Sequence, residues 1–386
     1  MAVKAVDLVA RADAAASRGD PRSARVLLQQ AVDAAPGDAA IRVRLAATCR
    51  AVGDRAEALS AIESALAIDP IDLTALLMRA HLLESLQSPD AGPAYDRALE
   101  QRPPGNVPPS LVAMIAHAEL RRGVYRDTAE RLLRKAASST TMSATLAERA
   151  RLDRFRTNSL RATRVWHPQP TDFHYPGLRA REFHDRELFE WLATLEAATD
   201  MIAGELDAVM TAERHELVPY VRYPAHHPLR QWNALNHSLD WSAIHLLQNG
   251  EHVEANARHC PGTMALIREL PQPRIAGASP NALFSLLAPG ARIPPHHGIA
   301  NTRLVCHLPL IVPGNCWFRV GAERREWHRG EAWVFDDTIE HEAANESDAL
   351  RVILIVDIWH PDLSAVEREG VAAMIAARAA WPAGGL

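Results

Sequence analysis

NALFSLLAPGARIPPHHGIANTRLVCHLPLIVPGNCWFRVG, residues 281–321, is a series of short apolar runs that turn signals keep interrupting. Ala-Pro-Gly closes the first run at 288–290, Pro-Gly the second at 313–314, and Gly321 the third. Each run is too short for a helix and rich in residues that favour strands. Two more follow, EAWVFDD at 331–337 and RVILIVDIW at 351–359. Closely spaced short strands with such turns predict a sandwich or jelly-roll barrel. In RVILIVDIW a regular strand puts Arg351 on the same face as Ile353 and Ile355. A charge among apolar residues needs a partner, and an anionic ligand is one candidate.

Upstream the period changes. Residues 183–218 carry apolar residues at helical spacing, as in HDRELFEWLATLEAATDMIAGELDAVM. The first 150 residues are rich in Ala, Leu, Arg and Glu, all good helix formers. All nine tryptophans lie after residue 165 and sixteen of the eighteen histidines after residue 166, so a domain boundary is expected near 160. Within the first half, Gly19, Ala24, Leu28, Ala31 and Pro36 recur 34 residues later as Gly53, Ala58, Ile62, Ala65 and Pro70. A further step of 33 gives Ala91, Tyr95, Ala98 and Pro103. Each unit reads as two antiparallel helices, with the glycine opening the turn and the proline ending the unit. Period and pattern resemble the tetratricopeptide repeat. A further helical pair is expected over 109–136, broken by SSTTMS at 138–143, then a helix near 144–157. Such stacks offer an extended face for a docked chain; a scaffold or dimerisation role is the alternative.

Composition removes several classes. The 386 residues are 48% hydrophobic and 23% charged, and the formal charge of -5, with no dominant run of Lys and Arg, argues against a nucleic-acid partner. No apolar stretch is long enough to span a membrane. The N-terminus meets Asp and Arg too early for a signal sequence, so a cytoplasmic setting is expected. Cys49, Cys260, Cys306 and Cys316 form no CxxC pair and are expected to be reduced and mostly buried.

Three histidines fall among the expected strands: His296 in IPPHHG, His307 in LVCHLPL and His341 in FDDTIEHEAAN. A jelly roll can bring His296 and His341 together across its mouth. Spacing alone leaves each open between a ligand and a structural role, because no HxH or HxxxH pair is present.

The blocks HHGIANTRL (296–304), HLPLIVP (307–313), GEAWVFDDTIEHEAAN (330–345) and RVILIVDIWHPDL (351–363) resemble the aspartyl/asparaginyl β-hydroxylase family. YPGL (175–178), CPGT (260–263) and FSLLAPGARIPPH (284–296) extend the resemblance back to about 165. It implies a double-stranded β-helix (jelly-roll, cupin-like) oxygenase domain with flanking helices over 165–386. A helical linker at 144–164 would join it to an all-α tetratricopeptide-like solenoid at 1–143, an α+β chain overall. It also implies a dioxygenase that uses Fe(II), 2-oxoglutarate and O₂ to hydroxylate an unactivated carbon, the β-carbon of Asp or Asn in a peptide or protein docked by the repeats. A hydroxylase of a free amino acid or carrier-bound metabolite, and a non-catalytic repeat adaptor with a degenerate barrel, are the alternatives.

By resemblance the metal ligands are His296 and His341, without a carboxylate, since Gly298 stands where a related HxD enzyme has its aspartate. His297 is the rival for the first ligand. Arg351 matches the arginine that grips the distal carboxylate of 2-oxoglutarate; a guanidinium suits bidentate pairing. Ser285 matches a serine at the same carboxylate, or is a core hydroxyl. His307 matches a histidine at the other carboxylate, or is bonded internally. One departure stands out: Val305 replaces a family arginine, and Arg303, two residues earlier on the same strand face, is the candidate to reach that region. Asp336 and Asp337 are read as a turn pair near the metal loop.

Overall fold

The computed structural model describes residues 2–379 except 106, 213–215, 225 and 227; the outermost ends of the 1–143 and 165–386 stretches lie outside them. The chain divides into two compact units, residues 1–160 and 161–386.

The first unit is helical: α1 (Ala2–Ser17), α2 (Pro21–Ala34), α3 (Ala39–Ala51), α4 (Arg55–Leu66), α5 (Leu73–Ser85), α6 (Ala91–Glu100), α7 (Pro109–Ser143) and α8 (Leu146–Ser159). The alanines and larger apolar residues that repeat in sequence are the ones it buries. Ala24, Leu28 and Ala31 of α2, Ala58, Ile62 and Ala65 of α4, and Ala91, Tyr95 and Ala98 of α6 are all buried. Alanines at these positions let neighbouring helices approach closely, and Leu28, Ile62 and Tyr95 fill what remains. Gly19 and Gly53 turn the chain in the left-handed region at φ 79° and 88°. Aspartates cap the next helices by accepting from the backbone N–H three residues on: Asp20 from Ser23 at 3.0 Å, Asp38 from Ile41 at 3.2 Å, Asp54 from Glu57 at 3.1 Å and Asp72 from Ala75 at 2.8 Å. Asp20 and Asp54, like Asp38 and Asp72, are 34 residues apart, so the caps follow the period of the core.

The expected pair of helices over 109–136 is instead one helix of 35 residues, α7, running through SSTTMS. The hydroxyls there turn back onto the helix: Ser138 donates to Lys135 O at 2.8 Å and Thr141 to Ala137 O at 2.7 Å. That local bonding satisfies side chains that otherwise compete with helix. α8 then opens on a capping box formed by Thr145 and Glu148.

The second unit begins with helices α9 (Leu192–Ala197) and α10 (Thr199–Thr211), then strands β1 (Leu217–Pro219), β2 (Trp241–Gln248) and β3 (Glu251–His252). Helices α11 (Glu254–Ala257) and α12 (Pro261–Glu269) precede β4 (Ala282–Leu287), β5 (Arg292–His296), β6 (Arg303–Ile311), β7 (Cys316–Val320) and β8 (Glu323–Glu326). β9 (Trp333–Phe335), β10 (His341–Asn345), β11 (Arg351–Trp359) and α13 (Ala365–Ala379) complete it. The helical spacing over 183–218 is realised as a 3-10 turn at Arg186–Leu188 and helices α9 and α10, while β1 at its end is extended.

The strands form two antiparallel sheets, one ordered β1-β2-β4-β11-β6-β9 with β3 on β2, the other β5-β10-β7-β8. From β4 onward the chain crosses repeatedly between them. One face of the large sheet packs on the helices through Phe284, Leu308, Leu354 and Ile358 against Leu192, Ile202, Leu206 and Ile267. Its other face meets the small sheet through Val305 and Ile353 against Ile293, Phe318 and Ala343.

The double-stranded β-helix, jelly-roll or cupin-like barrel expected from the sequence is not what forms. Both sheets are open, and among the described residues no strand pairing joins one sheet to the other. The edges explain why. β5 carries Pro294 and Pro295, which have no N–H to donate, so it accepts a neighbour on one side only. The opposite edge, β8, reads ERRE, the charged pattern that resists further pairing. β9, at the edge of the large sheet, has only three residues. Among the described residues no helix is long and apolar enough to cross a membrane.

Two glycines test the helical architecture in opposite directions. Gly123 lies inside α7, with open space where a β-carbon would stand and no positive φ, so Gly123→Ala should stabilise the helical unit by about 0.5–1 kcal/mol. Gly53 also has space but sits at φ 88°, so Gly53→Ala should destabilise by about 1–2 kcal/mol. Denaturant unfolding followed by far-UV circular dichroism measures both; a destabilising Gly123→Ala would mean that the chain turns there.

Candidate active site

Between the sheets lies a pocket of about 550 Å³. Its walls follow the strand period of two. β11 contributes Arg351, Ile353, Ile355 and Asp357; β6 contributes Arg303, Val305 and His307; β4 contributes Leu283 and Ser285; β2 contributes Trp241 and His245. The small sheet supplies Ile293, His296, Phe318, His341 and Ala343.

His296 ends β5 and His341 begins β10, and the register places them directly opposite. Their ring centroids are 3.9 Å apart. Each Nδ1 lies against a backbone carbonyl two residues back, Pro294 O at 2.8 Å for His296 and Ile339 O at 3.1 Å for His341. With Nδ1–H donating there, Nε2 of each ring keeps its lone pair. Burial first, and then His341 beside it, drives the His296 pKa well below the usual histidine value; burial brings His341 down to about 4. Both rings are therefore neutral near pH 7. Among the described residues, no Cys, Asp, Glu or third His joins this pair with ligand atoms mutually within 4.8 Å. His297 also lines the pocket, but His296 is the one facing His341.

The inner end of the pocket is built around Arg351. Its side chain is buried, donates from one NH to Ser285 O at 3.2 Å, and lies 4.8 Å over the Trp327 ring. Its Nε has no hydrogen-bond partner, and no carboxylate pairs with it among the described residues. Burial pushes its pKa down to about 9, which still leaves the guanidinium charged at neutral pH. A buried cation without a counter-charge costs several kcal/mol. His307 stands beside it with Nδ1 unbonded, packed on Phe318 and Phe335 at 5.0 and 4.6 Å. The Ser285 hydroxyl accepts from Trp241 Nε1 at 3.1 Å, which leaves its own proton to donate.

Arg303 has a different environment. It donates to Asp337 and to Asp357, each at 2.9 Å. Burial opposes its charge, but the two carboxylates outweigh burial and hold it above the usual arginine range. Although it lines the same pocket, its guanidinium is already engaged. Val305 lies two residues on, between Phe335 and Asp357 on the neighbouring strands. Asp336 accepts from the Thr338 N–H at 2.9 Å and closes the turn before His341; burial lifts its pKa to about 7.

Residues 196–361 match the family model described as Aspartyl/Asparaginyl beta-hydroxylase, and residues 15–70 match Tetratricopeptide repeat. The chain carries an aspartyl/asparaginyl beta-hydroxylase domain preceded by tetratricopeptide repeats. It is 37% identical over 140 residues to “Aspartate beta-hydroxylase domain-containing protein 2” of Xenopus tropicalis, covering 36% of this chain and 38% of that protein. It is 25% identical over 387 residues to human “Aspartyl/asparaginyl beta-hydroxylase”, covering 96% of this chain and 45% of that protein. The chain spans less than half the length of these relatives. Among solved structures, the first TPR of Spaghetti (RPAP3) bound to an HSP90 peptide is 20% identical, with a TM-score of 0.28, over 31% of this chain and 94% of that one. So low a score supports no conclusion about this chain.

In the hydroxylase-family domain, Gly298 has a steric reason to be glycine. A side-chain carbon there would overlap the Asp337 carboxylate, and the Gly298 N–H donates to Asp337 O at 2.6 Å. Asp337 Oδ1 is buried without a hydrogen-bond partner. The space that an aspartate at 298 would need is therefore filled by a carboxylate from position 337.

The segment WNALNHSLDWSAIHLLQNG at 232–250, a candidate substrate-side wall by resemblance, supplies Trp232 and Trp241 to the aromatic wall beside His296, whereas Tyr220 was not singled out. Tyr220 stacks on Trp241 at 3.8 Å, and Trp232 lies 5.0 Å from the His296 ring. The signal available was WSAIHLLQ at 241–248, whose alternate residues Trp241, Ala243 and His245 form one strand face. Arg222 at the pocket wall was also missed; it is exposed and has no carboxylate partner among the described residues.

Gly298→Ala should destabilise the domain by about 1–3 kcal/mol, as expected for overpacking, and Gly298→Asp by at least as much. Adding Asp337→Gly to Gly298→Asp should recover part of that loss, because it removes the overlapping group. Thermal unfolding and Fe(II) titration of the three variants check this. A Gly298→Asp protein as stable as wild type, with tighter iron binding, would show that the site accepts a third ligand.

Proposed function

We propose that the C-terminal domain is an Fe(II)- and 2-oxoglutarate-dependent dioxygenase that hydroxylates an unactivated carbon, the β-carbon of Asp or Asn in a peptide or protein. The observation that carries the reading is Arg351, a buried guanidinium with an unbonded Nε and no carboxylate partner among the described residues, in the same pocket as two facing histidines. A dicarboxylate supplies the counter-charge that the guanidinium lacks.

The residues present fit the group they would hold. Two neutral imidazoles with Nδ1 tied to backbone carbonyls offer Nε2 to an Fe(II) ion and leave its other positions open. When bound, Fe(II) with 2-oxoglutarate and O₂ supplies the oxidation that breaks an unactivated C–H bond. This chain's residues bind and orient. Arg351 grips the distal carboxylate, aided by the Ser285 hydroxyl, whose free proton can donate to it. His307 extends donors along the cosubstrate toward the histidine pair. Val305, Ile353, Phe318 and Phe335 line the space between with apolar surface and exclude water. Arg303, locked to Asp337 and Asp357, holds the metal-side loop rather than offering a free charge. Arg222, exposed at the wall, is the guanidinium free to meet an acidic group on the substrate.

The helical repeats support a peptide or protein as the occupant, since stacked repeats offer an extended docking surface. Docking away from the reacting carbon contributes mainly uniform binding. Removing residues 1–160 from the chain should therefore raise KM for a long substrate more than it lowers kcat, with circular dichroism confirming that the remainder folds. An unchanged KM would remove the repeats from substrate recruitment.

Purified protein with Fe(II) and O₂ should convert 2-oxoglutarate to succinate. Arg351→Leu should weaken 2-oxoglutarate binding by on the order of 2–5 kcal/mol while iron stays bound. Anaerobic titration of the Fe(II) protein with 2-oxoglutarate reads both quantities. Equal affinity in wild type and variant would make Arg351 a structural residue, and succinate at background with iron fully bound would favour a non-catalytic adaptor.

A further inference from the structure

Only two histidines occur among residues 1–160, His81 and His117, and the fold brings both to one place. His81 and Glu84 are three residues apart on α5 and so share a face. His117 stands opposite on α7. The two imidazoles meet edge to face with centroids 5.5 Å apart, and His117 Nε2 lies 3.4 Å from Glu84 Oε2. One ligand atom from each of the three residues falls within 4.8 Å of the other two.

Glu84 is held from behind. The hydroxyl of buried Tyr95 donates to its Oε2 at 2.6 Å, and Arg121 Nε donates to its Oε1. Hydrogen bonds of this kind commonly fix the orientation of carboxylates that ligate metals. Burial, and then His117 nearby, lower the His81 pKa, so its lone pair is available at neutral pH.

We propose that His81, Glu84 and His117 form a binding site for a divalent transition-metal ion such as Zn²⁺. Two imidazole nitrogens and one carboxylate oxygen are donors that Zn²⁺ takes readily, and a fourth position remains for water or for a side chain of a docked segment. The ion would tie α5 directly to α7. Arg121 limits the affinity, because the incoming cation shares Glu84 with a guanidinium already bonded to it. A plain hydrogen-bonded cluster of His117 and Glu84 is what the same residues make if no ion binds. The site is separate from the histidine pair of the oxygenase pocket and stands or falls independently of the reading given for that pocket.

Calorimetric titration of the full chain with Zn²⁺ tests it. The expected result is a binding event that persists in His341→Ala and is absent in His117→Ala, with Glu84→Gln weakening it by at least about tenfold. Co²⁺ in place of Zn²⁺ should give visible absorption that His117→Ala removes. His81→Ala repeats the measurement if His117→Ala fails to fold, as judged by circular dichroism. Equal zinc stoichiometry in wild type, His117→Ala and His81→Ala would overturn the site, as would zinc binding lost entirely with His341→Ala.

Discussion

The pairing of β10 between β5 and β7 sets everything else in the pocket. It places His341 opposite His296 on one side and Val320 on the other. A slip of one residue would turn His341 out of the pocket and bring Glu340 or Glu342 in its place, since strand faces alternate. The register shift between His341 and Ala343 along β5 lets the first residue of β10 aim inward while the rest of the strand stays in the sheet. The turn before it is held from several directions. Asp336 closes on Thr338, and Asp337 is fixed by Arg303 and by the Gly298 N–H on its carbonyl. These contacts constrain both ends of the histidine pair at once, because Gly298 follows His296 by two residues and Asp337 precedes His341 by four.

The two pocket arginines show how charge partitions a buried site. Arg303 and Arg351 come from adjacent strands and face the same space. Arg303 meets two aspartates, and its charge is compensated within the protein. Arg351 meets a backbone carbonyl and the face of Trp327. Those contacts soften desolvation without neutralising the charge, so the first arginine is compensated within the protein and the second is not. Val305, between them in the strand pattern, makes the space joining the two charges apolar. Arg303, two residues from Val305 on the same strand, has its guanidinium bonded to Asp337 and Asp357.

Much of the fold was legible in the residues, and its failures have physical causes. The repeat was readable because its period-34 alanines and larger apolar residues are the positions that pack and its glycines are the positions that turn; the aspartate caps carry the same period. The strands at 282–287, 303–311, 316–320, 333–335 and 351–359 coincide with apolar runs visible in the chain. α7 misled because Ser and Thr usually signal a break, and only the helix itself offers the carbonyls to which Ser138 and Thr141 turn back. The barrel misled because strand runs report how many strands there are and how they alternate, not whether sheet edges meet. Pro294 and Pro295 were visible, but their consequence depends on which strand lies at the edge.

By itself the sequence determined local matters: which residues turn, cap and alternate, and that Arg351 shares a strand face with Ile353 and Ile355. Those follow from backbone geometry within a few residues. It also held the motif blocks whose order resembles the hydroxylase family. The tertiary structure decided what lies across from what. His341 meets His296 across a long stretch of intervening chain; Asp337 fills the space beside Gly298; Arg303 is bonded to two carboxylates while Arg351 has none; and His81 stands by His117. Each depends on register and packing between distant segments, and a buried charge shows whether it is satisfied only when every neighbour is in place.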